Sequence, residues 1–301
     1  MELKDNMKSG FVAVVGRPNA GKSTLVNTIV GEKVAIVSDK AHTTRNNIQG
    51  IYNDDDSQII FIDTPGVHKP VQTLGKYMNK QVYYSLEDAD VVLFMIDATE
   101  KFGKGDKFVL DKIKEHKGNV FLILNKVDKM KKEKLFPLIE ELSKEYDFKE
   151  IIPVSALKED NINDLIKTIK NYLPEAPKYY QDDYYTDKSV NFMISELVRE
   201  KVLILTKEEV PHSVTCLVED YSENENSIHV NVMIIVEREG IKKIIVGHNG
   251  SMIKEIGSLA RKDIEKLVGK KVYLELFVKV INNWREKEKY LIEFGFKEEN
   301  E

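Results

Sequence analysis

The chain has 301 residues, which is long enough for two domains of ordinary size. Its 45 Lys and Arg stand against 50 Asp and Glu, so a net charge of −5 excludes a chain drawn to polyanions by bulk charge alone. A single cysteine excludes an intrachain disulfide framework and fits a reducing compartment. No apolar run approaches the ~18 residues a spanning helix needs, and Met1–Asn6 shows no secretory apolar region.

The first element is an apolar, β-branched run, Phe11–Val15, that reads as a buried strand. Directly after it comes Gly16-Arg17-Pro18-Asn19-Ala20-Gly21-Lys22-Ser23, which satisfies G-x-x-x-x-G-K-[ST]. Glycines there let the backbone curl so that N–H groups point at phosphate oxygens, and the helix that follows, Lys22–Val30, adds its positive end. Lys22 would reach the β- and γ-phosphates, the Ser23 hydroxyl would hold Mg²⁺, and the phosphate-contacting run is expected to extend to Thr24. A chance glycine-rich turn would not be expected to fall between a strand and a helix in this order.

Apolar strands then alternate with helical patterns: strands at Ile48–Tyr52, Ile59–Ile62, Val91–Ile96, Val120–Leu124 and Ile151–Val154, helices at Leu74–Leu86, Lys107–His116, Lys132–Tyr146 and Ile162–Tyr172. This implies an α/β fold with a mostly parallel sheet covered on both faces, and ligands beyond the carboxyl ends of its strands. The motifs sit there. Asp63-Thr64-Pro65-Gly66 closes the third strand. A carboxylate at Asp63 would face Mg²⁺, and the Gly66 N–H would meet the γ-phosphate. By itself the tetrapeptide is simply a good turn. Asn125-Lys126-Val127-Asp128 closes the fifth strand. Asp128 would accept from guanine N1–H and the exocyclic amine, a donor pair that adenine lacks, while Asn125 and Lys126 brace the loop and cover the base. Ser155-Ala156-Leu157 follows the last strand, with the Ala156 N–H aimed at guanine O6. In the loop 36–47, either Thr43 or Thr44 would close onto Mg²⁺ and the γ-phosphate; two adjacent threonines leave that choice open.

The segment Leu173–Asp183, with two prolines and an acidic pair, reads as a linker, so domains are expected at 1–177 and 178–301. Charge is asymmetric beyond it. From Asp182 to Glu239 there are five Lys/Arg against thirteen Asp/Glu; from Gly240 to Tyr290 there are twelve against six, a local balance of +6. A helix at Asn191–Thr206 precedes a hairpin, Val214–Glu219 with Ile228–Val236. Then Gly247-His248-Asn249-Gly250 introduces Ser251, a helix at Met252–Leu267 and a strand at Val272–Val280. A lone G-x-x-G is weak. In this order it would admit a sugar–phosphate backbone, with Lys254 and Arg261 supplying charge beside Lys242, Lys243, Lys262, Lys270 and Lys271. Cys216 and Trp284 read as packing residues, His68 as surface loop, and 297–301 as a frayed tail.

Together, Gly16–Ser23, Thr43/Thr44, Asp63–Gly66, Asn125–Asp128 and Ser155–Leu157 resemble the five G-motifs of translation-factor-type GTPases. The wording Gly-Arg-Pro-Asn-Ala-Gly-Lys-Ser with Thr-Thr-Arg resembles the Era family, as does Leu205–Ser213, and the second half resembles a type II KH domain. The resemblance covers nearly the whole chain and rests on the pairing of the two domains. It implies a GTPase with Lys22, Thr43/Thr44 and Gly66 around the γ-phosphate and Mg²⁺ on Ser23, Asp63 and a threonine. It further implies binding to the 3′ end of 16S rRNA, assistance to 30S ribosomal subunit maturation, and a monomer in the cytoplasm. Peripheral association with the inner face of the cell membrane is also implied, though nothing in the composition shows it. Two departures from the Ras-like pattern matter. Val67 stands where those proteins place the glutamine that orients water, so intrinsic hydrolysis is expected to be slow. Asn19 occupies a position that helps bind K⁺ in similar GTPases, and equally suits a turn after Pro18. A second reading makes the chain mainly an RNA-binding assembly factor with GTP as a slowly exchanged structural ligand. A third, an ATPase, requires Asp128 not to face the base.

Overall fold

A computed structural model describes residues 7–67, 72–207 and 210–296. Two compact units emerge from the contacts. One comprises 7–35, 44–67 and 78–187, the other 36–43, 72–77 and 188–296. The compact units therefore part after Asp187, and two stretches of the first half of the chain go with the second unit. His68 and the tail 297–301, singled out in the sequence, lie outside the described residues, as do Glu208 and Glu209.

The first unit is built on six strands, β1 (Lys8–Gly16), β2 (Ile48–Asn53), β3 (Ser57–Asp63), β4 (Val91–Asp97), β5 (Asn119–Asn125) and β6 (Glu150–Pro153). Their spatial order is β2-β3-β1-β4-β5-β6, with β2 antiparallel to β3 and every other pair parallel. The alternation of strand side chains sorts the apolar residues onto two faces. Val12 and Val14 of β1 join Leu25, Val26 and Ile29 of α1 (Lys22–Val30) and Leu165, Ile166 and Ile169 of the helix Ile162–Tyr172 in one core. Ala13 and Val15 join Val82 and Leu86 of α2 (Thr73–Glu87) and Val109, Leu110 and Ile113 of α3 (Lys104–Ile113) in the other. Central strands buried on both sides explain why their sequences are apolar throughout rather than alternating. The remaining helices of this unit are α4 (Leu135–Leu142) and α5 (Ile162–Tyr172). The expected helix at Lys132–Tyr146 is thus shorter, preceded by a single 3₁₀ turn at Lys132–Lys134.

Residues 178–187 do not run free. Gln58 accepts from the Tyr179 and Tyr180 N–H groups at 2.7 and 2.9 Å, the Tyr185 carbonyl accepts from Ile51 N, and Thr186 bridges Gly50. The segment covers the outer edge of β2, where unpaired backbone groups would otherwise be exposed.

The second unit runs α6 (Val190–Leu205), α7 (Val210–Ser213), β7 (Thr215–Glu223), β8 (Ser227–Val236), α8 (Glu239–Val246), α9 (Ser251–Val268), β9 (Lys271–Val280) and α10 (Glu288–Glu293). Its three-stranded sheet has the order β7-β8-β9, antiparallel then parallel. Apolar residues of α6, α8 and α9 pack on one face of it, and Cys216 lies in that core. Ile36 also lies there. Glu200 of α6 accepts from Val37 N at 2.9 Å, and the buried Arg199 donates to the Thr43 carbonyl, so 36–43 is fastened to α6. Trp284 is fully buried, donates from Nε1 to the Ser213 carbonyl at 3.1 Å and stacks on Phe296, a packing role. Helix α8 is an addition to the sequence expectation. Ile241, Ile244 and Ile245 have helical spacing, but the run before the glycines is short enough to pass for a strand.

Candidate functional site

At the carboxyl end of β1 the chain turns through Gly16–Gly21 into α1. Gly21 has φ 99, and a Cβ there would lie 2.2 Å from Asn125 Nδ2. Only glycine permits both that backbone and that approach. Lys22 is 6 % exposed and donates to the Gly16 and Arg17 carbonyls at 3.2 and 2.9 Å, so its ammonium is folded into the cradle of the loop. Burial lowers its pKa to about 8, against the opposing pull of Asp63. Asn19 adopts φ 64, a left-handed turn that asparagine tolerates well. Pro18 and Ala20 complete the loop, and Thr24 sits half-buried in the first turn of α1. The Arg17 side chain goes elsewhere, to Glu100 and Asp106, each at 3.2 Å.

Asp63, fully buried at the end of β3, meets this loop. Its Oδ2 accepts from Ser23 Oγ at 2.6 Å and from Thr44 Oγ1 at 3.3 Å, and the two hydroxyls lie 2.9 Å apart. Its Oδ1 is buried with no hydrogen-bond partner among the described residues. Burial raises this carboxyl to about 6, with Lys22, Ser23 and Thr44 pulling the other way. One carboxylate with an unsatisfied oxygen and two converging hydroxyls form a hard-oxygen set that fits Mg²⁺, which takes few protein ligands and fills its shell with phosphate and water. The adjacent threonines part company. Thr44 stands at this cluster, whereas Thr43 donates to the Lys40 carbonyl at 2.7 Å and pairs with Ser38 Oγ. Beyond Asp63, Thr64 donates to the Val14 carbonyl at 2.7 Å and Val67 N donates to the Gly16 carbonyl at 3.2 Å, so Thr64-Pro65-Gly66 is laid against the phosphate loop. Val67 is 5 % exposed and packs in the core.

Asn125, Lys126 and Asp128 leave the end of β5. Asn125 Nδ2 donates to the Ala20 carbonyl at 2.8 Å, and its Oδ1 accepts from Ala156 N at 3.0 Å. One side chain therefore ties three motifs together. Guanine O6 would compete with Asn125 for the Ala156 N–H. Ser155 Oγ donates to Asp128 Oδ1 at 2.6 Å, which aims that exposed carboxylate. Leu157 is 68 % exposed at the rim. Sequence reading missed Asp97, at the end of β4, which grips Lys126 Nζ at 2.6 Å.

The second unit presents a different surface. Gly247 has φ 73 and ψ 176, and a Cβ on it would sit 2.7 Å from that of Met252, so glycine is required by the fold. Gly250 has φ 77, but a Cβ there would meet nothing within 4 Å. His248 and Asn249 are exposed and pair with each other at 3.1 Å, and Ser251 opens α9. Lys254 and Arg261 are exposed on α9, and Ile244, 47 % exposed, stands just before the loop. Of the other cations expected here, Lys270 is spent on Glu223 and Lys271 lies over the Tyr273 ring.

Comparison with known proteins agrees with this division. A family model described as a 50S ribosome-binding GTPase matches residues 11–126, and one described as a KH domain matches residues 209–285. Over the whole length, the chain is similar to Era in complex with MgGDPNP and nucleotides 1506–1542 of 16S ribosomal RNA, at 43% identity and TM-score 0.94, covering 96% of this chain and 99% of that one. It is similar to a variant of Aquifex aeolicus Era bound to GDP·AlF4⁻ at 43% identity and TM-score 0.93, with the same coverage.

Proposed function

Because the chain belongs to the Era family of GTPases, we propose that it binds and hydrolyses GTP and binds the 3′ end of 16S rRNA in assisting 30S subunit maturation. The observation that carries the nucleotide half is the shared lock of Gly21, Asn125 and Ala156, which joins phosphate loop and base loop in one frame. The full-length relatives, with a small-subunit RNA and GTP analogues, are a narrower guide than the broad family description that names the large subunit.

In this reading residues 1–177 hold the nucleotide and the chain from 178 onward serves the RNA, with 178–187 acting as a strap along β2. Gly16–Thr24, Asp63–Gly66, Asn125–Asp128 and Ser155–Leu157 surround GTP. Ser23, Asp63 and Thr44 hold Mg²⁺, which neutralises charge on the phosphates. Lys22 leaves the loop carbonyls for phosphate oxygens, and Gly66 meets the γ-phosphate through its N–H. Gly247–Ser251 admits the RNA backbone, with Lys254 and Arg261 beside it. The nucleotide state reaches the RNA-binding unit along the chain: Thr44 sits at the Ser23–Asp63 cluster, and the preceding carbonyl, of Thr43, is held by Arg199. Order in 36–47 with GTP, and its loss on hydrolysis, is then the switch.

Hydrolysis is intrinsically slow, because Val67 is a core residue and no side chain at that position orients water. Val67→Gln should not raise turnover, since the amide would enter an apolar core; a rise of tenfold or more would contradict this. K⁺ beside Asn19 is a second proposal, which predicts faster turnover in KCl than in NaCl at matched ionic strength and fails if the rates are equal. The protein acts as a monomer in the cytoplasm. Among the described residues no helix is long and apolar enough to cross a membrane. Peripheral association with the membrane is a separate proposal, and vesicle co-sedimentation tests it. The direct test of the nucleotide assignment is competition: GDP and GTP should displace a fluorescent guanine nucleotide while ATP does not, and equal displacement by ATP would return the ATPase reading.

A further inference from the structure

The turn after β4 belongs to none of the motifs above, yet it touches the base-reading loop. Asp97, the last residue of β4, is the Cα partner of Asn125, and Ala98 N donates to the Asn125 carbonyl at 2.9 Å. Both carboxylate oxygens of Asp97 are committed. Oδ1 accepts from Thr99 N at 2.9 Å and from Thr99 Oγ1 at 2.6 Å, and Oδ2 accepts from Lys126 Nζ at 2.6 Å. Burial alone would raise this carboxyl, but the bonds from Lys126 and Thr99 more than offset it and hold it below its ordinary value, so it stays charged.

Lys126 needs such a hold. Its φ is 65, a left-handed conformation that a long side chain rarely adopts, and it lies between Asn125 and Asp128. Exposed ion pairs usually contribute little. This one differs, because the Asp97 side chain is only 12 % exposed and is itself clamped by Thr99. It also completes the fastening of the loop: Asn125 is tied to Ala20 and Ala156, Asp128 to Ser155, and Lys126 to Asp97.

We propose that Asp97, braced by Thr99, is a positioning residue for guanine recognition: it fixes Lys126 and thereby the register in which Asn125 and Asp128 meet the base. This rests on the reading that Asn125–Asp128 recognises guanine. The role is preorganisation, so its loss should appear in the lifetime of the bound nucleotide and in discrimination between bases, rather than in stability alone.

The test is the dissociation rate of N-methylanthraniloyl-GDP, and of the matching IDP, from the full-length protein carrying Asp97→Asn, Lys126→Met or both, with Asp97→Glu as the conservative variant. Inosine lacks the exocyclic amine that Asp128 would bind. Asp97→Asn should speed GDP release about tenfold, the order expected for a lost charge-assisted bond, and shrink the preference for GDP over IDP. Lys126→Met should do the same, the double variant should be no worse than the worse single one, and Asp97→Glu should recover part of the loss. Wild-type release rate and GDP/IDP preference in a folded Asp97→Asn protein would overturn the proposal, and so would multiplicative effects in the double variant. Asp128→Ala separates the two levels. If it leaves guanine preference intact, the guanine reading itself fails and the role of Asp97 with it. If it abolishes the preference while Asp97→Asn changes nothing, only the role of Asp97 fails.

Discussion

The nucleotide pocket and the Gly247–Gly250 loop solve opposite problems. In the pocket, Lys22, Thr44, Asp63 and Asn125 are buried, and polar groups are largely paired within the protein: Lys22 with carbonyls of its own loop, Ser23 and Thr44 with Asp63, Asn125 with Ala20 and Ala156. A ligand must replace bonds that the protein makes with itself, and a residue removed leaves a buried partner unsatisfied. At the glycine loop the backbone is preset, but His248, Asn249, Lys254 and Arg261 stand exposed and there is open space at Gly250. There the ligand gains contacts while displacing little more than the pairing of His248 with Asn249. The pocket should therefore be brittle and selective, the loop tolerant and dominated by charge.

The contrast breaks most sharply at single residues of the pocket. Lys22→Ala and Asp128→Ala should each weaken GDP binding by about 2–4 kcal/mol, roughly 30- to 1000-fold, with RNA binding measured without nucleotide unchanged. Titration calorimetry with GDP checks this, and affinities within threefold of wild type would mean that these groups do not contact the nucleotide.

At the loop, the two glycines should behave differently. Gly250→Asp should lower affinity for a single-stranded RNA about tenfold through charge repulsion; its φ of 77 strains the new side chain, but with no atom within 4 Å the melting temperature should fall less than in Gly247→Ala, and GDP affinity not at all. Gly247→Ala should lower the melting temperature more, because its backbone and the contact with Met252 exclude a side chain. If Gly250→Asp left RNA affinity intact, the phosphate backbone would not pass over this loop.

A smaller effect sits at the opposite end of β3 from Asp63. Asp54 accepts from Lys170, Ser57 and Tyr52 at the β2–β3 turn. Burial alone would raise its carboxyl, but those bonds hold it well below the usual range. With its folded value depressed, it contributes stability that is present above about pH 4 and lost as the pH falls below that. Lys170→Met should cost about 1 kcal/mol at pH 7 and progressively less below pH 4, measured by urea unfolding. A cost independent of pH would show that packing, not the ion pair, is at work.

The same contrast decides what could be read from the residues alone. The pocket consists of short motifs whose residue types are dictated by phosphate, metal and base, so Gly16–Ser23 is legible by itself, and Asp63 and Asn125–Asp128 become legible from their places at strand ends after it. The sheet is legible because its central strands are apolar on both faces. Three things were not. Thr43 and Thr44 are chemically alike, and only the turn through Lys40 separates them. The Arg17 side chain and Asp97 are bound by partners 83 to 89 and 29 residues away, distances at which no local pattern signals an ion pair. Helix α8 has too few residues for its period to stand out from a strand. The glycine loop was legible only from the order of its neighbours, since two glycines three apart carry little by themselves.

The switch requires that RNA and nucleotide influence each other. GTP hydrolysis should be followed with Mg²⁺ in the presence of a short strand matching the 3′ end of 16S rRNA, with a scrambled strand of equal composition as control. A rate raised by the matching strand alone is the predicted result. A slow rate that neither strand changes would contradict the switch, and would leave an RNA-binding assembly factor that carries GTP as a structural ligand.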